Sequence, residues 1–376
     1  MLKIVADDKI PFLKGVLERC SDIAVEYCPG AKTSADTVRD ADALITRTRT
    51  KCRRELLDGS RVKFIATATI GFDHIDTDYA RANNICWTNA PGCNSSSVAQ
   101  YITSLLLNWA VKDKFALAGK VLGVVGVGHV GKKVAAAAEA LGIKVLLNDP
   151  PRARAEGSGK FVELDEIIKS ADIITIHVPL EYNGSDPTYH LVDAGFISRM
   201  CKNQYLVNAS RGEVVDNAAL RKALENGLLA GAALDVWENE PEIDLELLKL
   251  LDFATAHIAG YSTDGKANGT SMSVRALAEF FDLPQELKNY YPDNVPLPEN
   301  TLLSVPAEGT LEEKLLAVTA ESYNIADDSR RLKDFPADFE KLRGSYPLRR
   351  EFPAFTVSNY DEQTGNILSK LGFKLK

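Results

Sequence analysis

Three side chains of complementary chemistry each follow a short apolar run. Arg211 follows Tyr205 to Asn208, Glu240 follows Ala232 to Val236, and His257 lies near the end of Phe253 to Ile258. In an open α/β sheet, ligands bind beyond the carboxyl ends of the strands, so the three can converge on one crevice. The set suits hydride removal from a secondary alcohol. Imidazole titrates near neutral pH and can take the hydroxyl proton. A carboxylate beside it would orient the ring and stabilise its charged form. A guanidinium would pair with a substrate carboxylate and polarise the reacting oxygen. Each also has a plain structural use: a core histidine, a helix cap before Pro241, a surface turn before Gly212. His74, His129, His177 and His190 compete for the role of base, although His74 falls in the first hundred residues and His129 in a glycine-rich turn. No HxxxH and no Asp/Glu/His cluster at ligand spacing points to a metal.

The element that would hold a hydride acceptor is the clearest unit in the chain. Val121 to Val125 reads as a buried strand, Gly126-Val127-Gly128-His129-Val130-Gly131 as a glycine-rich turn, and Lys132 to Leu141 as an alanine-rich helix. Gly142 is placed to stop that helix, and Ile143 to Leu147 forms the next strand, leading to Asn148-Asp149. Gly126 permits the tight turn, Gly128 lets the backbone approach a pyrophosphate, and Gly131 lets the helix pack on the strand. The helix N-terminus presents unpaired N–H groups to the phosphates. Asp149 can accept hydrogen bonds from both ribose hydroxyls and would repel a 2′-phosphate, which favours NAD over NADP.

Around this unit the chain alternates strands and helices. Leu2 to Val5, Ala43 to Ile45, Phe64 to Ala66 and Asn84 to Trp87 read as strands before the fingerprint, and Ile173 to Val178 after it. That rhythm implies parallel sheets with helices on both faces. Asn94 and Ser95 can cap a helix in which Val98, Ile102, Leu105, Leu106 and Trp109 form one apolar face. Pro284, Pro292, Pro296 and Pro298 mark a linker. The tail beyond it holds strand-like runs at Leu302 to Val305 and Phe355 to Val357 and about three helices.

Composition narrows the class. The 376 residues are 45% hydrophobic and 26% charged, and 44 basic against 52 acidic residues give a net charge of −8. This excludes a disordered or collagen-like chain, and an acidic chain lacks the basic excess that draws nucleic acid. Six cysteines without a CxxC pair read as reduced thiols of a cytoplasmic protein. No signal peptide is visible in Met1 to Phe12, and the uncharged run Val98 to Val111, with Gln100, Ser104 and Asn108, is too short and too polar to span a bilayer.

These motifs resemble those of the D-isomer-specific 2-hydroxyacid dehydrogenases. The likeness rests on GVVGVGHVGKKV (123–134), NASRGEVVDNAAL (208–220), AALDVWENEP (232–241) and HIAGYS (257–262). Further runs, Ala66 to Asp76, Ala90 to Asn94, Asn148 to Ala153 and Tyr261 after Gly260, resemble one branch of the family that acts on a small phosphorylated hydroxy acid. The resemblance implies Arg211, Glu240 and His257 as catalytic residues. It implies NAD contacts at Gly126, Gly128, His129, Val130, Gly131, Asp149, Val178, Ala209, Ser210, Asp235 and Gly260. Substrate contacts are implied at Thr48, Thr69 and Tyr261. Val178 stands where Thr is frequent, Ala256 where the wider family often has Pro, and Gln100 where Glu is frequent. Arg47 and Arg49 alternate, so on a strand they would share a face and could hold the substrate phosphate. Arg349 and Arg350 could reach the pocket of a partner subunit.

The implied architecture is a Rossmann NAD-binding domain (93–256) inserted in a flavodoxin-like substrate domain (1–92 and 257–283). A small C-terminal α/β domain (284–376) would make a homodimer. The helices at Ser95 to Trp109 and about Gly265 to Phe281 would hinge, and closure would exclude water before hydride transfer. The same motifs would also serve a sister enzyme, such as a 3-phosphoglycerate dehydrogenase or a glyoxylate/hydroxypyruvate reductase, or a non-enzymatic NAD-sensing scaffold.

Overall fold

The computed structural model describes residues 1–376. They form two compact units, 1–94 with 262–296 and 95–261 with 297–376. The first is built on a parallel sheet of β1 (Leu2–Asp7), β2 (Ile23–Cys28), β3 (Ala43–Thr46), β4 (Phe64–Thr67) and β5 (Cys86–Thr88), in the order β2-β1-β3-β4-β5. Strands β3 and β4 are buried at every position, because a parallel sheet is covered on both faces. Side chains alternate between those faces. Ile4, Ile45 and Phe64 pack with Val274 and Leu277 of the helix Thr263–Phe280, whereas Val5, Leu44 and Ile65 pack with Val38 and Ala80. The chain passes from β1 to β2 on one side and then crosses to β3 on the other, which opens a crevice beyond the carboxyl ends of β1 and β3.

The second unit carries β6 (Val121–Val125), β7 (Lys144–Asn148), β8 (Ile173–Ile176), β9 (Tyr205–Asn208), β10 (Gly231–Leu234) and β11 (Phe253–Ala254), all parallel in the order β11-β10-β9-β8-β6-β7. Here the order reverses between β6 and β8. The tail of the same unit adds a parallel sheet of β12 (Leu302–Ser304), β13 (Thr356–Ser358) and β14 (Lys374–Leu375). Four helices accompany it, Leu311–Ser322, Ile325–Asp334, Phe339–Gly344 and Glu362–Leu371. Its apolar residues, among them Leu303, Leu315 and Phe355, belong to one core with Tyr101, Leu105 and Ile258.

That shared core corrects the single apolar stripe expected of the helix Ser95–Lys112. Ser97, Gln100 and Ser104 are buried as well, because the tail covers them. Ser104 donates to the Tyr323 carbonyl (3.2 Å) and Gln100 to the Arg350 carbonyl (3.0 Å). Arg349, expected to reach a partner subunit, is instead only 4% exposed within its own unit.

Three further readings change. β2, an edge strand in which only Ile23 is buried, is not among the strands expected from the sequence. The run at Phe253 to Ile258 is a strand only over Phe253–Ala254, and His257 leaves it with a left-handed backbone, φ 55°. Arg47 and Arg49 lie beyond the end of β3 in a turn, so the shared strand face does not exist.

No helix is long and apolar enough to cross a membrane.

Candidate active site

At the reversal point of the second sheet, β6 runs into the glycine-rich turn. Gly126 has φ 87°, and a Cβ there would come within 2.6 Å of the His177 carbonyl oxygen at the end of β8. A Cβ at Gly131 would collide with the Gly126 carbonyl, whereas one at Gly128 would meet nothing within 4 Å. The turn is therefore crowded where it folds back and open where a ligand would approach. The helix His129–Ala140 begins at Gly128 with no side-chain cap, leaving its first N–H groups for an anion. Asp149 accepts from Val127 N–H (2.8 Å) and caps the next helix through Arg152 N–H (3.1 Å). Each carboxylate oxygen retains acceptor capacity for ribose hydroxyls. Val178 packs against the same turn. An open phosphate cradle with an acid at the end of β7 fits NAD.

Beyond β11, His257 Nδ1 and Glu240 Oε2 are 2.8 Å apart. Glu240 Oε1 accepts from Trp237 N–H at 3.0 Å, so both carboxylate oxygens are directed. Burial alone would raise the Glu240 carboxyl. The hydrogen bond and charge of His257, the Trp237 N–H and the charge of Arg343 outweigh it and hold the group below its usual value. A carboxylate on Nδ1 places that ring proton there and frees Nε2 to accept a proton. Trp237 is itself anchored through Nε1 to the Thr255 carbonyl (3.0 Å).

Arg211 precedes the short turn 212–214. A Cβ on Gly212 would overlap the Trp237 carbonyl, so only glycine lets this turn lie against the segment that carries Glu240. Arg211 Nη1 donates to the Ser210 carbonyl (2.8 Å), and Ser210 Oγ donates to Asn208 Oδ1 (2.7 Å). Ala209 lies between them, partly buried. Asp235 is buried and takes Thr255 Oγ1–H (2.6 Å) and the N–H groups of Ile258 (2.7 Å) and Ala259 (3.0 Å). It therefore organises the loop that leads to Gly260 and Tyr261. Arg343, from the helix Phe339–Gly344, lies with its guanidinium 5.9 Å from the Tyr261 ring centre.

The rival histidines separate by environment. Burial pushes His74 down to about 4 and His177 to about 3, which leaves both neutral. His177 Nδ1 is buried without a partner. His190 Nε2 lies 2.7 Å from Glu238 Oε1. That second His–carboxylate pair gave no sign in the sequence, and Glu238 also accepts the N–H of Asn217 (2.9 Å). His129 is exposed on the first turn of its helix.

In the first unit, Arg47 Nη1 donates to the Lys9 carbonyl (3.1 Å), spanning the crevice between β1 and β3. Thr48 and Arg49 are exposed in the turn that follows. Thr69 Oγ1 donates to the Gly71 carbonyl (2.9 Å), beyond the end of β4. Burial and the neighbouring charge of Arg47 lower Lys266. Nothing in the linear pattern links these two cations, because Lys266 belongs to the returning helix.

The fold and the paired glycine turn and His–Glu dyad define an NAD-dependent dehydrogenase. The family described as "D-isomer specific 2-hydroxyacid dehydrogenase, NAD binding domain" matches residues 104–259, and a domain of unknown function matches 295–372. An erythronate-4-phosphate dehydrogenase of Bacteroides thetaiotaomicron is 49% identical over 95% of this chain and 99% of its own length. One from Porphyromonas gingivalis is 41% identical over 99% of this chain and 100% of its own. Among solved structures, a D-lactate dehydrogenase from Aquifex aeolicus complexed with NAD and lactic acid is 28% identical. It covers 77% of this chain and 98% of its own, with a TM-score of 0.61. The chain belongs to the erythronate-4-phosphate dehydrogenase family of the D-isomer-specific 2-hydroxyacid dehydrogenases.

Proposed function

We propose that the protein oxidises 4-phospho-D-erythronate at C2 to 2-oxo-3-hydroxy-4-phosphobutanoate, a step of pyridoxal 5′-phosphate (vitamin B6) biosynthesis in the cytoplasm. The observation that carries the chemistry is the His257–Glu240 pair at 2.8 Å, on a chain 49% identical to a relative named for that activity. NAD, held by the turn of Gly126, Gly128 and Gly131, would supply the acceptor for the C2 hydride. His257 Nε2 takes the proton of the C2 hydroxyl as the carbonyl forms, and Glu240 stabilises the resulting imidazolium. Arg211 pairs with the substrate carboxylate and polarises the C2 oxygen. We assign substrate contacts to Thr48, Thr69 and Tyr261. The phosphate is assigned to Arg47, assisted by Arg49 and by Lys266, whose lowered proton affinity a dianion would restore. NAD contacts are assigned to Gly126, Gly128, His129, Val130, Gly131, Asp149, Val178, Ala209, Ser210, Asp235 and Gly260. The working form is a homodimer joined through residues 284–376.

The test supplies purified protein with 4-phosphoerythronate or 3-phosphoglycerate, with a 2-oxo acid present to reoxidise tightly held cofactor, and follows product directly. Turnover of 4-phosphoerythronate that disappears in His257→Ala is expected. Turnover of 3-phosphoglycerate alone would replace the substrate and keep the dyad.

A further inference from the structure

We propose that Arg349, contributed by the tail, is a positioning residue for the reaction: it locks the backbone loop that carries His257. The two residues after His257 are held from both sides. Their N–H groups, at Ile258 and Ala259, donate to the two oxygens of Asp235 at 2.7 and 3.0 Å. Their carbonyls accept from Arg349 Nη1 at 3.3 and 3.2 Å. Asp235 and Arg349 thus grip consecutive residues with opposite charges. The remaining donors of Arg349 fasten this loop to the first turns of the helix Ser95–Lys112. Nη2 reaches the Ser97 carbonyl (2.6 Å) and Nε reaches Gln100 Oε1 (2.9 Å). The guanidinium lies 3.6 Å from the centre of the Tyr323 ring, a cation–π contact that further fixes its plane.

The loop needs such a grip. His257 has φ 55°, a left-handed conformation that a β-carbon residue holds only where its surroundings over-determine it. Apolar packing on the tail side is incomplete, although Ile258 itself belongs to the shared core. A cavity of about 300 Å³ borders the loop there, lined by Ala256, Ile258, Asp328, Leu342 and Tyr346 among others. The charge of Arg349 is balanced nearby. Glu351 and Asp328 are both largely buried, and Glu351 Oε1 accepts from Ser97 Oγ at 2.8 Å. The clamp also accounts for Gln100: its amide oxygen accepts from Arg349 while its amide nitrogen donates to the Arg350 carbonyl at 3.0 Å, two tasks that one carboxylate cannot perform.

This inference rests on the reading of His257 as the base. Arg349→Met keeps the length of the stem and removes the fork. Arg349→Lys keeps the charge but cannot reach the loop carbonyls, Ser97 and Gln100 at once. The expected result for Arg349→Met is a kcat lower by about 10- to 100-fold, with the KM for NAD within about threefold of wild type. Hydrogen–deuterium exchange should quicken in peptides covering 256–262 and the start of the helix Ser95–Lys112, and not across the rest of the unit. Arg349→Lys should fall between Arg349→Met and wild type. A kcat within about twofold of wild type overturns the proposal. So does a loss of kcat accompanied by lost NADH binding and faster exchange throughout residues 95–261, which is the signature of general destabilisation. If Arg349→Met does not fold, Gln100→Leu removes one anchor of the same fork. A smaller loss of kcat with the same local exchange supports the clamp, and no change in either overturns it. A wild-type protein that turns over no hydroxy acid would refute the proposed function, whereas the exchange measurement would still test the clamp.

Discussion

The loop around His257 and the turn at residues 47–50 occupy equivalent places, each beyond the carboxyl end of a strand in a parallel sheet, yet they are built oppositely. In the first, the His257 N–H is bound to the Asp235 carbonyl (2.7 Å), its ring to Glu240, and the next two residues to Asp235 and Arg349. In the second, Arg47 holds the Lys9 carbonyl and closes a turn with Thr50, and Thr48 and Arg49 face solvent. The contrast follows from the work proposed for each. A proton acceptor loses rate steeply if misplaced, so its geometry is set before substrate arrives. A cationic turn that recognises a phosphate gains from ligand-driven ordering and needs no strain.

The sharpest way to break this contrast is to remove the proposed base. His257→Ala should lower kcat by about 10²–10⁴-fold, measured as product formation at saturating substrate. His190→Ala is the control, since it disrupts the other His–carboxylate pair and should leave kcat within about threefold. Comparable losses in both would mean that the second pair is the working one. Glu240→Gln comes next. Without the anion on Nδ1, the imidazolium that forms on His257 during proton transfer is less stable. kcat should then fall by about 10-fold or more, measured as product formation at saturating substrate. Stability responds to the same carboxylate. The folded-state affinity of Glu240 for a proton is depressed, so its contribution is present above the ordinary carboxylate range and disappears as pH falls through the lower folded-state value. Wild type should therefore lose more of its Tm than Glu240→Gln does on acidification through that window.

The two regions also differ in how much of them the linear chain discloses. The glycine turn and Asp149 are legible because each step of that argument is local: strand, turn, helix, acid. His257 and Glu240 are legible because strand ends in parallel sheets point one way. Arg349 is not legible, because its partners lie about 90 residues and more upstream and no periodicity connects them. The buried polar side of the helix Ser95–Lys112 fails for the same reason, since Ser97 and Gln100 look solvent-facing until the tail covers them. Arg47 and Arg49 mislead because alternation is informative only within a strand, and β3 ends at Thr46.

The open turn gives a smaller, binding-type effect. Arg47→Ala should raise the KM for the phosphorylated substrate by about 10-fold or more, the scale of one charge-assisted contact, with kcat much less affected. Lys266→Met should act in the same direction. If both variants bind the phosphorylated acid as wild type does, in a direct titration of the protein with NADH present, the phosphate is held elsewhere and the contrast loses its second half.

The smallest effect is expected where one side chain does both local and ligand work. Asp149 caps the helix Pro150–Glu156 through Arg152 N–H and braces the glycine turn through Val127 N–H. Asp149→Asn retains a carbonyl oxygen that can accept from either N–H, so stability should fall by about 1 kcal/mol or less in a denaturant titration. The ribose hydroxyls lose a charged acceptor, so NAD affinity should fall by about 10-fold. Discrimination against NADP should narrow at the same time, because the charge that repels a 2′-phosphate is gone. Those two readouts separate the roles. A stability loss with unchanged NAD affinity would make Asp149 a cap and nothing more. Weakened NAD binding at constant stability would show that the turn is rigid without it, as the Gly126 and Gly131 contacts suggest.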